Sequence, residues 1–148
     1  MVKNNIYKSQ NHCAKINDGT KLNDKGKTMK TLSTIPIFRI FDEEKAKEFY
    51  IDFLEFKVDF EHKFEEDFPL YLQVSKGSWF IHLSEHHGDC CPGASIMLEM
   101  KGIKDFQEKL LAKKYKHSRP GIEETEWNTI EMTISDPFGN RITFFENV

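Results

Sequence analysis

Apolar and polar residues alternate through residues 34–41 (TIPIFRIF), the period of a strand with one buried face. Asp42 follows, a residue type whose carboxylate caps helix N-termini. Over residues 43–54 the period changes. Ala46, Phe49, Tyr50 and Phe53 recur three and four apart behind an acidic first turn, which predicts an amphipathic helix. Three strand-like runs come next, at 57–64, 70–75 and 79–85, with Lys76-Gly77 as a tight turn between the last two. Gly and Pro then break the chain at residues 88–93 (GDCCPG). After the break the order repeats. A strand is expected at 94–101 and a helix at 103–113, with Phe106, Leu110 and Leu111 on one face. Strand-like runs follow at 115–119, 129–135 and 141–146, and Asp136-Pro-Phe-Gly-Asn140 turns the chain into the last of them.

Two βαβββ units, at about 34–87 and 94–148, define an α+β domain of two curved mixed sheets, each with its helix on one face. The other faces are expected to enclose a cleft. Period-two alternation places Ile37, Arg39, Phe80, His82, Ser84, Ser95, Met97, Glu99, Glu131, Thr133, Thr143 and Phe145 on that side. The opposite positions, Phe38, Ile40, Ile81, Leu83, Ile96, Leu98, Ile142 and Phe144, are uniformly apolar and suit burial against the helices. A mixed face beside an apolar one fits a ligand cleft; it also fits a wet dimer interface.

Residues 1–33 lack periodic apolar positions and are rich in Lys, Asn, Asp and Gly, so they are expected to form a flexible basic arm. Met29 stands just before the patterned region as a second candidate initiator. Seven lysines against Asp18 and Asp24 give residues 1–32 a surplus of +5 and leave the rest at −8. An acidic body argues against nucleic acid as a partner and favours cationic ligands, though acidity also serves solubility alone. No apolar run approaches the length of a membrane span, and residues 1–10 lack the apolar stretch of a secretory signal; a cytoplasmic protein without a membrane partner is expected. Cys13, Cys90 and Cys91 form neither a disulfide framework nor a zinc pattern, and free thiols are expected.

The opening IPIFRIFDEEKAKEFYIDFLEFKVDF resembles the first strand, helix and second strand of the vicinal-oxygen-chelate superfamily (glyoxalases, bleomycin resistance proteins and extradiol dioxygenases). An aromatic pair in the helix, here Phe49-Tyr50, precedes an L-G-F-like turn, here Leu54-Glu55-Phe56. Glu55 replaces Gly where a positive φ is expected. The closing ISDPFGNRITFFE resembles the superfamily's D-P-x-G-N hairpin and final strand. The resemblance covers about three-quarters of the chain. Catalytic branches carry one metal ligand on each of four strands, and these positions fall on Ile37, His82, Ser95 and Thr143. Only His82 is an ordinary ligand, so no metal, catalytic residue or other cofactor is expected. The run His82-Leu-Ser-Glu-His-His87 does not restore a site, because its spacing is helical while the segment leaves a strand.

The resemblance is nearest to bleomycin resistance proteins. There, two aromatics in acidic surroundings sandwich a planar drug, and the matching positions are Phe68, after Glu65-Glu-Asp, and Trp127, after Glu123-Glu-Thr-Glu. Stacking and cation–π contacts make aromatics beside carboxylates suitable for a flat cation. The expected ligand-binding set is Phe68, Trp127, Phe60, His82, Glu99, Glu131 and Arg39. The resemblance implies a homodimer that sequesters a flat cationic glycopeptide antibiotic or related small molecule without catalysis. The alternative is a metal-dependent glyoxalase- or dioxygenase-type enzyme using His82.

Overall fold

A computed structural model describes residues 21–22 and 28–148. Two short strands, β1 (Lys21–Leu22) and β2 (Thr28–Met29), pair antiparallel. Residues 1–20 and 23–27 of the expected arm, Cys13 included, lie outside the described residues. Ile35–Val148 forms one compact unit.

Two four-stranded sheets make up this unit. The first contains β3 (Ile37–Arg39), β4 (Lys57–His62), β5 (Tyr71–Lys76) and β6 (Trp79–Ser84), in the order β3-β6-β5-β4. The second contains β7 (Ser95–Glu99), β8 (Glu123–Glu124), β9 (Thr129–Ser135) and β10 (Arg141–Asn147), in the order β7-β10-β9-β8. In each sheet the first and last strands of the unit run parallel, and the remaining pairs are antiparallel. The expected α+β architecture and its repeat are therefore both present.

The helical segments follow their sequence signals with one change. Asp42 Oδ1 accepts the Lys45 amide at 2.9 Å and starts α1 (Glu43–Lys47). The chain then widens into a π-helix over Glu48–Phe53, whose Leu54 amide reaches back to the Phe49 carbonyl at 2.9 Å. The widening keeps Phe49, Tyr50, Phe53 and Leu54 all buried. In the second unit α2 (Ile103–Ala112) buries Ile103, Phe106 and Leu110. Phe38, Ile40, Ile81, Leu83, Ile142 and Phe144 are buried beneath the helices as their parity requires, while Ile96 and Leu98 are half-buried.

The expected strand at 115–119 does not form. Tyr115 instead stacks on Phe53 with ring centroids 4.5 Å apart, and the Pro120 carbonyl accepts from Gln107 Nε2 at 2.9 Å. These contacts hold the segment to the helices, and β8 supplies the sheet edge a few residues later. In the first sheet the register shifts between Val58 and Phe60, and β4 ends two residues short of expectation.

Buried polar bonds join the two units. Tyr50 donates its hydroxyl to Asp136 Oδ2 at 2.8 Å. Asp136 Oδ1 accepts the amides of Phe138 and Asn140, at 2.9 and 2.7 Å. The Asn140 side-chain amide divides its two hydrogens between Asp136 Oδ2 at 2.7 Å and the Arg39 carbonyl at 2.8 Å. Burial, reinforced by the Asp136 charge, drives the Tyr50 hydroxyl well above its ordinary pKa, so it stays a donor. Tyr50→Phe removes one partner from a buried carboxylate and is expected to cost about 1–3 kcal/mol in urea unfolding. A loss within error of zero would show the bond to be dispensable.

Glu55 does adopt the left-handed conformation, with φ of 61°. Three lysines surround its carboxylate: Lys109 at 2.6 Å, Lys113 at 3.0 Å and Lys76 at 3.7 Å. Two of these cations also bond the carbonyls that end the π-helix. Lys113 Nζ donates to Asp52 and Phe53 at 2.6 and 2.9 Å, and Lys76 Nζ to Leu54 at 2.7 Å. Led by the Lys109 bond, this cluster holds the Glu55 carboxyl down at about 2. A depressed carboxylate pKa contributes stability above the unfolded value of about 4.3, and that contribution fades as pH falls toward about 2. Glu55→Gln is expected to lose about 1 kcal/mol at pH 7, the size of a part-exposed ion-pair network. Unfolding measured from pH 7 to pH 2 should show wild type and variant converging at the acid end.

Candidate functional site

The sheet faces turned away from the helices carry the polar and aromatic residues that the core excludes. On the first sheet, register sets Ile37 and Gln73 on either side of His82, and Tyr71 beside Ser84. A row of hydrogen bonds crosses this face. Gln73 Nε2 donates to Asp59 Oδ2 at 2.8 Å, which leaves Gln73 Oε1 as an acceptor for His82 Nε2 at 2.8 Å. His82 thus carries its proton on Nε2, and Nδ1 accepts the Tyr71 hydroxyl at 2.6 Å. The register shift in β4 makes this row possible: it brings Asp59 to Gln73 and Ser75, and sets the Phe60 ring 5.9 Å from that of His82. Burial lowers the His82 pKa and favours the neutral ring.

The chain leaving β6 folds back over the same face. Ser84 donates its hydroxyl to Asp89 at 2.6 Å and accepts the His86 amide at 3.1 Å. Cys90 and Cys91 are free thiols. Burial raises the Cys90 pKa, and the Arg39 charge offsets this only in part, so a resting thiolate is disfavoured. Arg39 lies with its guanidinium 4.9 Å from the Phe41 ring centroid. Its Nη1 is buried without a hydrogen-bond partner. Arg39, Phe41, Asp67, Phe68 and Glu85 line an open pocket of about 310 Å³, and Phe68 is 46% exposed at its rim.

On the second sheet the chain turns sharply into β9. The Thr125 amide donates to the Thr129 carbonyl at 2.9 Å, and Asn128 takes a positive φ of 60°, which Asn tolerates. This hairpin holds Trp127 outward, 53% exposed, with its indole N–H donating to Glu131 Oε1 at 3.1 Å. The same carboxylate oxygen accepts the Thr129 hydroxyl at 2.8 Å. Glu99 accepts the Asn147 side-chain amide at 2.7 Å, and Met97 is 57% exposed beside it.

The structure thus distributes the expected residues over two faces. Arg39, Phe68, Phe60 and His82 belong to the first sheet; Trp127, Glu131 and Glu99 belong to the second. Sequence reasoning missed Tyr71, Gln73, Asp59, Asp89 and Phe41. Alternation along β5 was enough to find Tyr71 and Gln73; the bulge hid Asp59. A larger cavity of about 430 Å³, lined by Phe49, Tyr115, His117 and Asp136 among others, lies beside the helix and includes none of the expected ligand residues.

The residues present do not fit the divalent metal of the catalytic branches. Ile37 pairs with His82, but Ser95 pairs with Arg141 and Thr143 with Met97, so the four positions do not form two matched pairs. Both nitrogens of His82 are engaged. Among the described residues no three His, Cys, Asp or Glu side chains gather closely enough to hold an ion.

Paired βαβββ units, each with its polar and aromatic residues on the face away from its helix, define the class of domain. A family model described as glyoxalase superfamily protein matches residues 23–148, and the chain belongs to that superfamily. No curated protein matches the sequence. Solved structures with the same fold include a bleomycin resistance determinant encoded on transposon Tn5 (15% identity, TM-score 0.61, covering 79% of this chain and 98% of that one). The bleomycin-binding protein of Streptomyces verticillus, complexed with copper(II)-bleomycin, is 22% identical, with TM-score 0.59 and coverage of 78% and 96%. A glyoxalase/bleomycin resistance protein/dioxygenase superfamily member from Sphaerobacter thermophilus is 20% identical, with TM-score 0.59 and coverage of 79% and 98%. At such identities the likeness establishes the fold.

The His82 tautomer is directly testable. Nitrogen-detected NMR is expected to show a neutral ring protonated at Nε2 and titrating below the ordinary value of about 6.5. An Nδ1–H tautomer would contradict the bond order Asp59–Gln73–His82–Tyr71.

Proposed function

We propose that this chain is a bleomycin-resistance-like binding protein that sequesters a flat, cationic small molecule without breaking a bond in it. The observation that carries the reading is the Trp127–Glu131 pair. In the turn between β8 and β9 a half-exposed indole is held beside the Glu131 carboxylate at 3.1 Å. An aromatic plane offers stacking and cation–π attraction, and a neighbouring carboxylate offers charge. Phe68 supplies a second exposed ring among Glu65, Glu66 and Asp67. The bleomycin complex among the fold's relatives supports a ligand of this kind. The apolar side chains exposed on both faces, Phe60 and Met97 among them, favour a homodimer in which two copies cover each other's faces around the ligand. The ill-matched donor set argues for a metal-independent site.

Purified protein is expected to bind bleomycin in calorimetry or Trp fluorescence with a micromolar or lower Kd, about −8 kcal/mol. Trp127→Ala is expected to weaken binding at least tenfold, about 1.4 kcal/mol. Absence of binding at micromolar drug removes the reading. Near-stoichiometric bound metal, lost in His82→Ala, would establish the enzymatic alternative.

A further inference from the structure

Arg39 has no explanation in a site built for a cation. It stands on β3, at the edge of the polar face, with its guanidinium against the Phe41 ring. Its Nη1 is buried and lacks a hydrogen-bond partner. Two carboxylates line the same pocket, yet neither pairs with it. Glu85 spends Oε2 on the Leu70 amide at 2.8 Å. A cation held partly out of water with an unmet donor is costly, and because Arg39 is only half-buried and lines the pocket, the rest of its guanidinium can meet an anion there. Stacking on Phe41 fixes the guanidinium plane, so the fork is oriented before anything binds. Phe68 exposes a ring on the same pocket.

We propose that Arg39 docks a carboxylate-class oxyanion of the ligand, with the ring bearing that group lying against Phe68. The proposal rests on the reading of these faces as a small-molecule site and narrows it. The ligand is then zwitterionic, with its anionic end at Arg39 and its cationic end toward the carboxylates of the second sheet. A planar guanidinium and a carboxylate share a bidentate geometry that an amide or amine cannot reproduce.

The test uses the full chain and three naphthalene probes of matched shape: 2-naphthoate, 2-naphthamide and 2-naphthylmethylamine. Binding is measured by calorimetry, together with the Arg39 Nε–H NMR signal. The carboxylate is expected to bind at least tenfold more tightly than the amide and to shift the Arg39 signal. Arg39→Met should abolish that preference while leaving the melting temperature unchanged or raised, because it removes an unmet cation; a merely structural arginine would lower it. Phe68→Ala should weaken carboxylate and amide alike. Equal binding of carboxylate and amide, or no saturable binding of naphthoate at millimolar concentration, overturns the proposal. So does an Arg39→Met variant that keeps the preference but dissociates into monomers, because a second copy's carboxylate then meets the guanidinium. Bleomycin binding is scored separately. Bleomycin bound without a naphthoate preference overturns the Arg39 assignment alone, whereas a naphthoate preference without bleomycin binding overturns the drug reading alone.

Discussion

The bond from the Tyr50 hydroxyl to Asp136 holds the two halves of this domain to one geometry. Asp136 sits where four donors converge, two from its own turn and two from side chains. Asn140 passes the connection on to the Arg39 carbonyl, at the end of β3. A buried carboxylate is tolerable only with its lone pairs satisfied. The network therefore works as an all-or-none clasp: the turn must close, the helix must present Tyr50, and β3 must lie alongside. Arg39 takes its place on the polar face as part of that arrangement. The side chain proposed to meet a ligand hangs from a backbone that the clasp fixes.

The second link is electrostatic and lies at the other end of the same helix. Glu55 accepts an unfavourable backbone conformation, and in return its carboxylate gathers Lys109 from α2, Lys113 from the C-cap of α2 and Lys76 from β5. Glycine would fit the φ angle more easily but has no charge with which to collect them. Lys76 and Lys113 also satisfy the carbonyls at the end of the π-helix. A residue that departs from its family's pattern thus strengthens the contact between the units. The π-helix itself has a packing reason, because it turns Phe49, Tyr50, Phe53 and Leu54 inward together.

The fold was legible in the sequence because its signals are local or periodic. Alternation picked out Phe38, Ile40, Ile81 and Leu83 as the buried side of the first sheet, and all four are fully buried. Phe49-Tyr50 and Asp136-Pro-Phe-Gly-Asn140 were separate motifs on the page; in space Tyr50 and Asp136 touch. Residues 115–119 misled because Tyr115 and its neighbours have strand-like composition, whereas a stack on Phe53 decides where that segment goes. The site was legible only in part. Parity set His82, Glu99, Glu131 and Arg39 on the polar faces, but no period reveals a bulge, and the bulge brings Asp59 to Gln73. The partners that fix the His82 tautomer came from β5, whose faces went unassigned.

The row from Asp59 to Tyr71 also bears on what this face became. A histidine at a metal position needs a free nitrogen lone pair and neighbours of its own kind. His82 offers its one lone pair to Tyr71 and its proton to Gln73. Its partners across the ladder are Ile37 and Gln73, neither a usual ligand for a divalent catalytic metal. A metal at His82 would have to displace the tyrosine and glutamine bonds and find further donors. A neutral, doubly bonded imidazole is instead a rigid polar wall, and Phe60 packs its ring edge-on against it. Rigidity of this kind suits the proposed role, since a preorganised face would lose little entropy if a planar molecule settled on it. The glyoxalase-superfamily scaffold is present here, and on this face the hydrogen bonds of His82 are closed among the protein's own side chains.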